Sequence, residues 1–462
     1  MSHWPSRLSL PALLLLTGLA AGQPQESVPA AEQPPEARVP TAAAVVDTRL
    51  EQRLLAEAAL ADERPLDALA IAEAWLEALR VTASDPTGER EIALSLKARA
   101  QRALDDPDGA AETYLELLDA VETRYGRLSV ETMPPMIAIG QSFNAAGRHA
   151  EALVFGDQAR HIARRNHGLF STEQIEAMHL MATANDGLGD RTRGRELREE
   201  ALGIAERRLG ADSAELLPYL EDLADWYARR GLTIRERRSR ERVLSLQRAH
   251  HADEPERQLE TLRQIARSWQ SEVPAALRHT MDRRSARQLA RLSPSASPGA
   301  RPARESLREG ERLLEAHPTL PAVERARMLI AIGDWHMIFD PTPEDALAYY
   351  RQAWAEVADD EIAREELLGR PATLYFVPPP SPVSATVADA QEGRLTLAFT
   401  VGADGRASDI IIEQPSPEDT MDEATRRQLA STGRYRPRFK EGEPVAIAGA
   451  RLTQPFRYRP AQ

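Results

Sequence analysis

Up to about residue 370, apolar residues recur at helical spacing in short runs closed by glycine. Past Gly393 the pattern changes. Leu395, Leu397, Phe399 and Val401 alternate with Thr396, Ala398 and Thr400, which predicts a strand with one buried face. "GADGR" at 402–406 reads as a hairpin loop, with Gly405 able to take a positive φ. "ASDIIIEQ" is the return strand. "SPEDTMDEATRRQLAST" has helical character and turns Met421, Ala424 and Leu429 toward the sheet. "GRYRPRFKEGEPVAIAGARLTQPFRY" is a link into a last strand. The predicted order of this closing unit is β-β-α-β.

The helical part repeats. Gly147, Gly189 and Gly231 are spaced at 42 residues, and Gly126, Gly168 and Gly210 keep the same period. So do Ser129, Ser171 and Ser213, and Glu131, Glu173 and Glu215. The second set of glycines closes helices where a left-handed residue is needed. Each serine then reads as an N-cap, with glutamate in the first turn favouring the helix dipole. An apolar helix follows ("MPPMIAIGQSFNAAG", "IEAMHLMATANDGLG", "LPYLEDLADWYARRG"), and its closing glycine turns the chain into a second helix. One helical hairpin cannot bury both apolar faces, so neighbours must stack. Weaker copies start near Arg64, Pro107 and Leu259, and another spans 324–357, where Gly333, Ala346, Tyr349, Tyr350 and Ala353 fit the pattern.

This pattern resembles the tetratricopeptide repeat in the 42-residue form of kinesin-light-chain-like arrays. Gly147, Ala150, Ala152 and Gly189 carry the likeness. The third unit departs from it, with arginines in "TIRERRSRE" where small residues are expected. The closing unit resembles the C-terminal domain of the TonB energy-transducer family. The matching stretches are the strand at 393–401, Asp404-Gly405-Arg406, the aliphatic strand at 410–412, "TMDEA", "RYRPRF", "EGEPV" and the closing "QPFRY". The family's usual stretch before the first strand, tied to receptor contact, is replaced here by "VPPPSPVSATVADAQEG". The two resemblances imply a concave surface for protein partners and a small sheet that receives a partner's extended peptide by strand addition. The expected receiving edge is about Ala446–Phe456, with Ile447, Ala448, Arg451, Leu452, Thr453, Gln454 and Phe456 as partner-binding residues. Pro455 removes one donor near its end.

The expected fold class is therefore α+β multidomain, an all-α TPR-like solenoid followed by a small β-β-α-β TonB-C-like domain. The expected segments are a signal peptide at 1–22, a Pro/Ala-rich disordered tether at 23–46 and TPR-like repeats at 47–284. A loop at 285–305, further TPR-like helices at 306–370, a Pro-rich linker at 371–392 and the TonB-like unit at 393–460 complete the chain.

Charge and address narrow the function. The formal charge is −13, while residues 372–462 hold 11 acidic and 11 basic side chains, so the acidity lies in the helical body. An acidic body without a basic stripe argues against nucleic acid. Of 58 basic residues only Lys97 and Lys440 are lysine, and the arginines are spread rather than clustered for phosphate. Near the N-terminus, Arg7 precedes an apolar run from Leu8 to Ala21 and the small residues Ala20-Ala21-Gly22. As a helix that run would span ~21 Å, short of a ~30 Å hydrocarbon core, and Pro11 weakens it further. It reads as a cleaved secretory signal, which sends the mature chain to the periplasm. The alternative is an uncleaved inner-membrane anchor, and the chain touches membrane only in that case. There is no cysteine, hence no disulfide, thiolate metal site or thiol-linked lipid.

No catalytic, cofactor or metal residues are expected. His161 and His167 do not share a helix face, His250 and His251 point apart, and Trp335-His336 has the spacing of a repeat core. Asp340, Glu344 and Asp345 flank Pro341 and Pro343 and read as a turn and a helix start. "GLGDRTRG" is no phosphate loop, because no strand precedes it and no Gly-Lys-Ser/Thr follows. The expected function is a non-enzymatic periplasmic scaffold for protein or peptide partners of the cell envelope. The alternative is an inner-membrane-anchored TonB-type transducer serving outer-membrane transport.

Overall fold

The structure is a computed structural model that describes residues 42–80, 88–279, 300–383 and 390–459. The expected signal peptide, most of the tether and the greater part of the 285–305 loop lie outside these residues. Fifteen helices precede the main sheet among the described residues: α1 Ala42–Ala61, α2 Pro65–Arg80, α3 Glu89–Ala103, α4 Pro107–Tyr125, α5 Met133–Ala145, α6 His149–His167, α7 Ile175–Gly187, α8 Arg191–Leu209, α9 Leu217–Arg229, α10 Thr233–His250, α11 Pro255–His279, α12 Ala300–Ala316, α13 Ala322–Phe339, α14 Glu344–Glu356 and α15 Glu361–Leu368. From α1 to α14 they pack as successive hairpins, each helix against the next. α1 begins inside the segment expected to be an extended tether, because "AAAVV" at 42–46 is rich in the best helix former. α12 likewise begins inside the segment expected to be a loop.

The repeat markers do the work their chemistry suggests. Gly126, Gly168 and Gly210 have φ of 86°, 92° and 90° and each closes a helix. Ser129 and Ser213 accept hydrogen bonds from the backbone N–H of Glu131 and Glu215. Ser171 makes no such cap, and its hydroxyl is buried. The interfaces between hairpins are filled by small residues facing large ones. Gly140 lies under Leu180 and Gly156 under Met181.

The arginines of the third unit are structural. Arg237 and Arg240 are buried on α10. Arg237 stacks over Trp269 at 3.6 Å. Arg240 binds Asp225 on α9 at 2.9 Å and Glu236 at 3.1 Å, and reaches Gln264 on α11. The guanidinium forks take the place of small-residue packing, and long alkyl stems cover the apolar surface.

The C-terminal unit contains β1 Ala372–Tyr375, β2 Gln391–Val401, β3 Ala407–Gln414, α16 Asp422–Thr432, β4 Arg434–Arg436, β5 Arg438–Lys440, β6 Glu443–Val445 and β7 Ile447–Tyr458. Its main sheet is antiparallel with the order β3-β2-β7. Leu395, Leu397, Phe399 and Val401 bury the alternating face of β2 against Met421, Leu429, Tyr435 and Phe456. Thr425, rather than Ala424, occupies the buried position of α16, and Ala424 is exposed. This β-β-α-β frame carries additions that the periodicity did not reveal. β1 lies in the expected Pro-rich linker and pairs with β4. β5 and β6 form a hairpin turned at Glu441 and Gly442, both with positive φ, in the stretch expected to be a plain link. Pro437 separates β4 from β5, so these strands are too short for an alternation to show.

The core of the last helices continues into this unit. Phe439, Tyr375 and Val377 are buried in the same cluster as Trp335, Ile338, Tyr350 and Ala353. At Gly333 an added Cβ would lie 2.5 Å from the Tyr350 ring and 3.2 Å from the Ala346 carbonyl. Gly333→Val is therefore expected to cost about 1–3 kcal/mol by overpacking. Gly203→Ala, at a site with open space, is expected to be neutral or mildly stabilising, with urea unfolding as the measurement for both.

Candidate functional site

The expected partner-binding residues all fall on or beside the edge strand β7. Among the described residues β7 pairs with β2 and with no other strand, so its outer border faces none. Ile447 lies opposite Val401, Arg451 opposite Ala398, Leu452 opposite Leu397, Thr453 opposite Thr396, Gln454 opposite Leu395 and Phe456 opposite Gly393. Ala448 is exposed at the start of the strand, beside Gly449 with φ of 83°. Phe456 is buried, and its ring covers Gly393, where a Cβ would come within 2.7 Å of it. Thr453 Oγ1 and Thr396 Oγ1 are 3.2 Å apart. Arg451 donates through Nε and Nη2 to both carboxylate oxygens of Glu413 across β2. Sequence reasoning missed Ser381, whose hydroxyl accepts the Arg457 backbone N–H at the far end of the border. Nothing local marks that serine, because its partner is 76 residues away.

What aims this border is the seat of the unit on the helices. Arg436 donates through Nε and Nη2 to the two carboxylate oxygens of Asp334, each at 2.9 Å, and through Nη1 to the Leu367 carbonyl. Tyr350 donates its hydroxyl to Asp334 at 2.9 Å. Burial pushes the Arg436 pKa down, but Asp334 and Tyr350 more than offset it, so the net direction is up. Burial first, and then the Asp334 charge, hold the Tyr350 hydroxyl well above its ordinary range. Phe439 inserts beside Tyr350 and Trp354, with ring centroids at 5.9 and 6.3 Å. Outside this buried patch, Arg351 grips Glu443, and Arg406 in the β2–β3 turn donates to the Pro341 carbonyl. Gly405 at that turn has φ of 73°, accepts from Tyr435 N–H at 2.8 Å, and abuts Met337.

Two other places gather polar groups. His336, Asp340 and Asp345 bring ligand-capable atoms within 4.8 Å of one another. Sequence reasoning assigned them to packing and a turn. In the structure His336 Nδ1 and Asp340 Oδ2 are 2.6 Å apart, and the imidazole stacks on Tyr349 at 5.3 Å. A cavity of about 460 Å³ between α12 and α13 is lined by Arg301, Arg304, Arg308, Trp335 and Asp340 among others. Arg301 pairs with Glu305, and Arg304 lies over Trp335. His161 lines a separate cavity of about 600 Å³ between α4 and α6 with Phe155, Asp157 and Met136. His167 is exposed at the end of α6. No described helix is long and apolar enough to cross a membrane.

Two predictions follow from the seat. Asp334→Ala leaves the Arg436 guanidinium buried without its carboxylate and is expected to destabilise by about 3–5 kcal/mol. Replacing both residues by apolar ones, Asp334→Leu with Arg436→Met, is expected to recover much of that loss, as urea unfolding would show. Tyr435 is buried, its hydroxyl finds no hydrogen-bond partner among the described residues, and burial raises its pKa to about 12. A raised folded pKa gives stability that is full below the unfolded value, near pH 10, and declines as pH rises toward about 12. Tyr435→Phe is expected to leave stability at pH 8 unchanged or slightly higher and to make its loss between about pH 10 and 12 shallower.

None of the curated proteins matches the chain. Among solved structures, TPR-like repeats of a Podosopora anserina kinesin light chain are 18% identical, cover 43% of this chain and 95% of their own, and superpose with a TM-score of 0.38. BtubC (BKLC) from P. vanneervenii is 17% identical, covers 54% and 91%, and has a TM-score of 0.39. Aspartyl phosphate phosphatase F from Bacillus subtilis is 14% identical, covers 72% and 79%, and has a TM-score of 0.36. Residues 385–460, which contain β2, β3, α16 and β7, match the family model of the Gram-negative bacterial TonB protein C-terminal, so the closing unit of this chain, which follows an array of helical hairpins, is similar to that C-terminal domain.

Proposed function

We propose that this protein is a periplasmic adaptor of the bacterial cell envelope, holding one partner on its helical array and the extended segment of another on the border of β7. Both modules are of kinds that bind proteins rather than transform substrates. The observation that carries the reading is the outer side of β7, which pairs with no other strand among the described residues, on a unit seated firmly against the helices. A sheet edge offers main-chain donors and acceptors in register, and an added strand satisfies them at once. The buried Arg436–Asp334 pair and the Phe439 insertion hold that edge at one attitude to the helices. A partner strand bound there is thereby kept at a set position relative to whatever the helical array carries. The address rests on the signal-like stretch at 8–21 and on the family of the C-terminal unit.

Thr453→Pro removes one backbone donor at an exposed edge position where the fold tolerates proline. With full-length protein as bait in envelope extract, this variant is expected to lose at least one partner that the wild type captures, while partners of the helical array remain. Identical capture by both forms overturns the strand-border reading. A mature form that stays in the cytoplasmic fraction overturns the address.

A further inference from the structure

Backbone groups along an antiparallel strand alternate in direction, so a residue facing its neighbour strand is followed by one facing away. Arg457 sets the phase on β7. Its N–H donates to Ser381 Oγ at 3.4 Å, on the side of β7 away from β2. Counting back by twos, Pro455, Thr453 and Arg451 turn their backbone groups outward, while Phe456, Gln454 and Leu452 spend theirs on β2. Pro455 agrees with this phase, since proline sits on an edge where no N–H is owed. The side chains obey the same alternation. Phe456 and Leu452 belong to the core of the sheet, and Arg451 and Thr453 are exposed.

The outward groups are not equally open. The Arg457 N–H is taken by Ser381, and Pro455 has no N–H. The Pro455 carbonyl accepts from the Gln454 side-chain amide at 2.8 Å. On the other side of Arg451, Gly449 has a φ of 83° and bends the strand. Arg451 and Thr453 remain. Ile447–Tyr458 contains no acidic residue. The pair between Arg451 and Glu413 is exposed, and such a pair exchanges partners at little cost. Arg451 Nη1 has no hydrogen bond among the described residues. Leu452, between the two open residues, is half-buried on the core face.

We infer that, within the strand-addition reading above, the receptive part of the border is the short window from Arg451 to Thr453. It takes an extended segment with a carboxylate beside Arg451 and an aliphatic side chain over Leu452. The chain's own groups close the border from Pro455 onward, and a partner strand loses its pairing there.

Residue-resolved hydrogen exchange on the full-length chain tests this with two synthetic probes, a short peptide alternating glutamate with valine and its counterpart with lysine for glutamate. In the free protein the Arg451 and Thr453 amides are expected to exchange at least about tenfold faster than those of Leu452, Gln454, Phe456 and Arg457. The glutamate peptide is expected to slow Arg451 and Thr453 about tenfold and to leave Arg457 unchanged, while the lysine peptide slows neither. Arg451→Glu is expected to reverse that preference. Equal exchange of Leu452 and Arg451 in the free chain overturns the phase and with it the window, leaving strand addition untouched. Protection that spreads evenly through Arg457 also sinks the window while upholding strand addition. Equal protection by both peptides removes the carboxylate from the partner. No protection of β7 by either peptide overturns the inference, and strand addition itself falls only when Thr453→Pro also captures the same partners as wild type.

Discussion

The contact between Arg436 and Asp334 is the constraint on which the arrangement of this molecule rests. A guanidinium buried at the junction of two units has one arrangement that satisfies it, with both carboxylate oxygens of Asp334 and the Leu367 carbonyl in reach. Such a pair adds little net stability over an apolar replacement, because desolvation consumes most of the Coulombic gain. Its effect is on choice of geometry. A C-terminal unit rotated or shifted on the helices would bury a cation without its partner. The Tyr350 hydroxyl joins the same carboxylate, so the packing of α14 on α13 and the seating of the β unit are decided together.

From that seat the rest of the junction follows. β4 carries Arg436 and pairs with β1, which draws the chain leaving α15 into the sheet-bearing unit. Pro437 and the tight turn at Glu441-Gly442 project Phe439 onto Tyr350 and Trp354. The β2–β3 turn then lies against α13 through Gly405 and Met337. The face of the unit that meets the helices is thereby used, and the borders of β3 and β7 stay on the sheet's outer sides. A small domain with a modest core of its own gains apolar burial from this arrangement.

Elsewhere the helical array shows how one packing problem has two solutions. Between α5, α6 and α7, glycine opposite leucine or methionine lets helices approach closely. Around α10 the helices are held by Arg237 and Arg240, stacked on Trp269 and bridging Asp225, Glu236 and Gln264. The stretch "TIRERRSRE" departs from the small-residue pattern of the other units. The partners that make those arginines good core residues come from α9 and α11.

Local chemistry was sufficient for the helical hairpins, the glycines that end them, the buried face of β2 and the turn at Gly405, since each depends on neighbours or on a fixed period of the backbone. The location of β7 at an edge was also legible, from its position in a β-β-α-β order. Which of its residues face outward was not, because the phase of the strand is set by its pairing with β2. The short strands β1, β4, β5 and β6 escaped for a similar reason, being too brief to display alternation. The sequence by itself determined the elements and the periodic faces they must bury. Only the tertiary structure decided that Arg436 meets Asp334 across 102 residues and that Phe439 enters the helical core, since such pairings exist only once the chain has closed on itself.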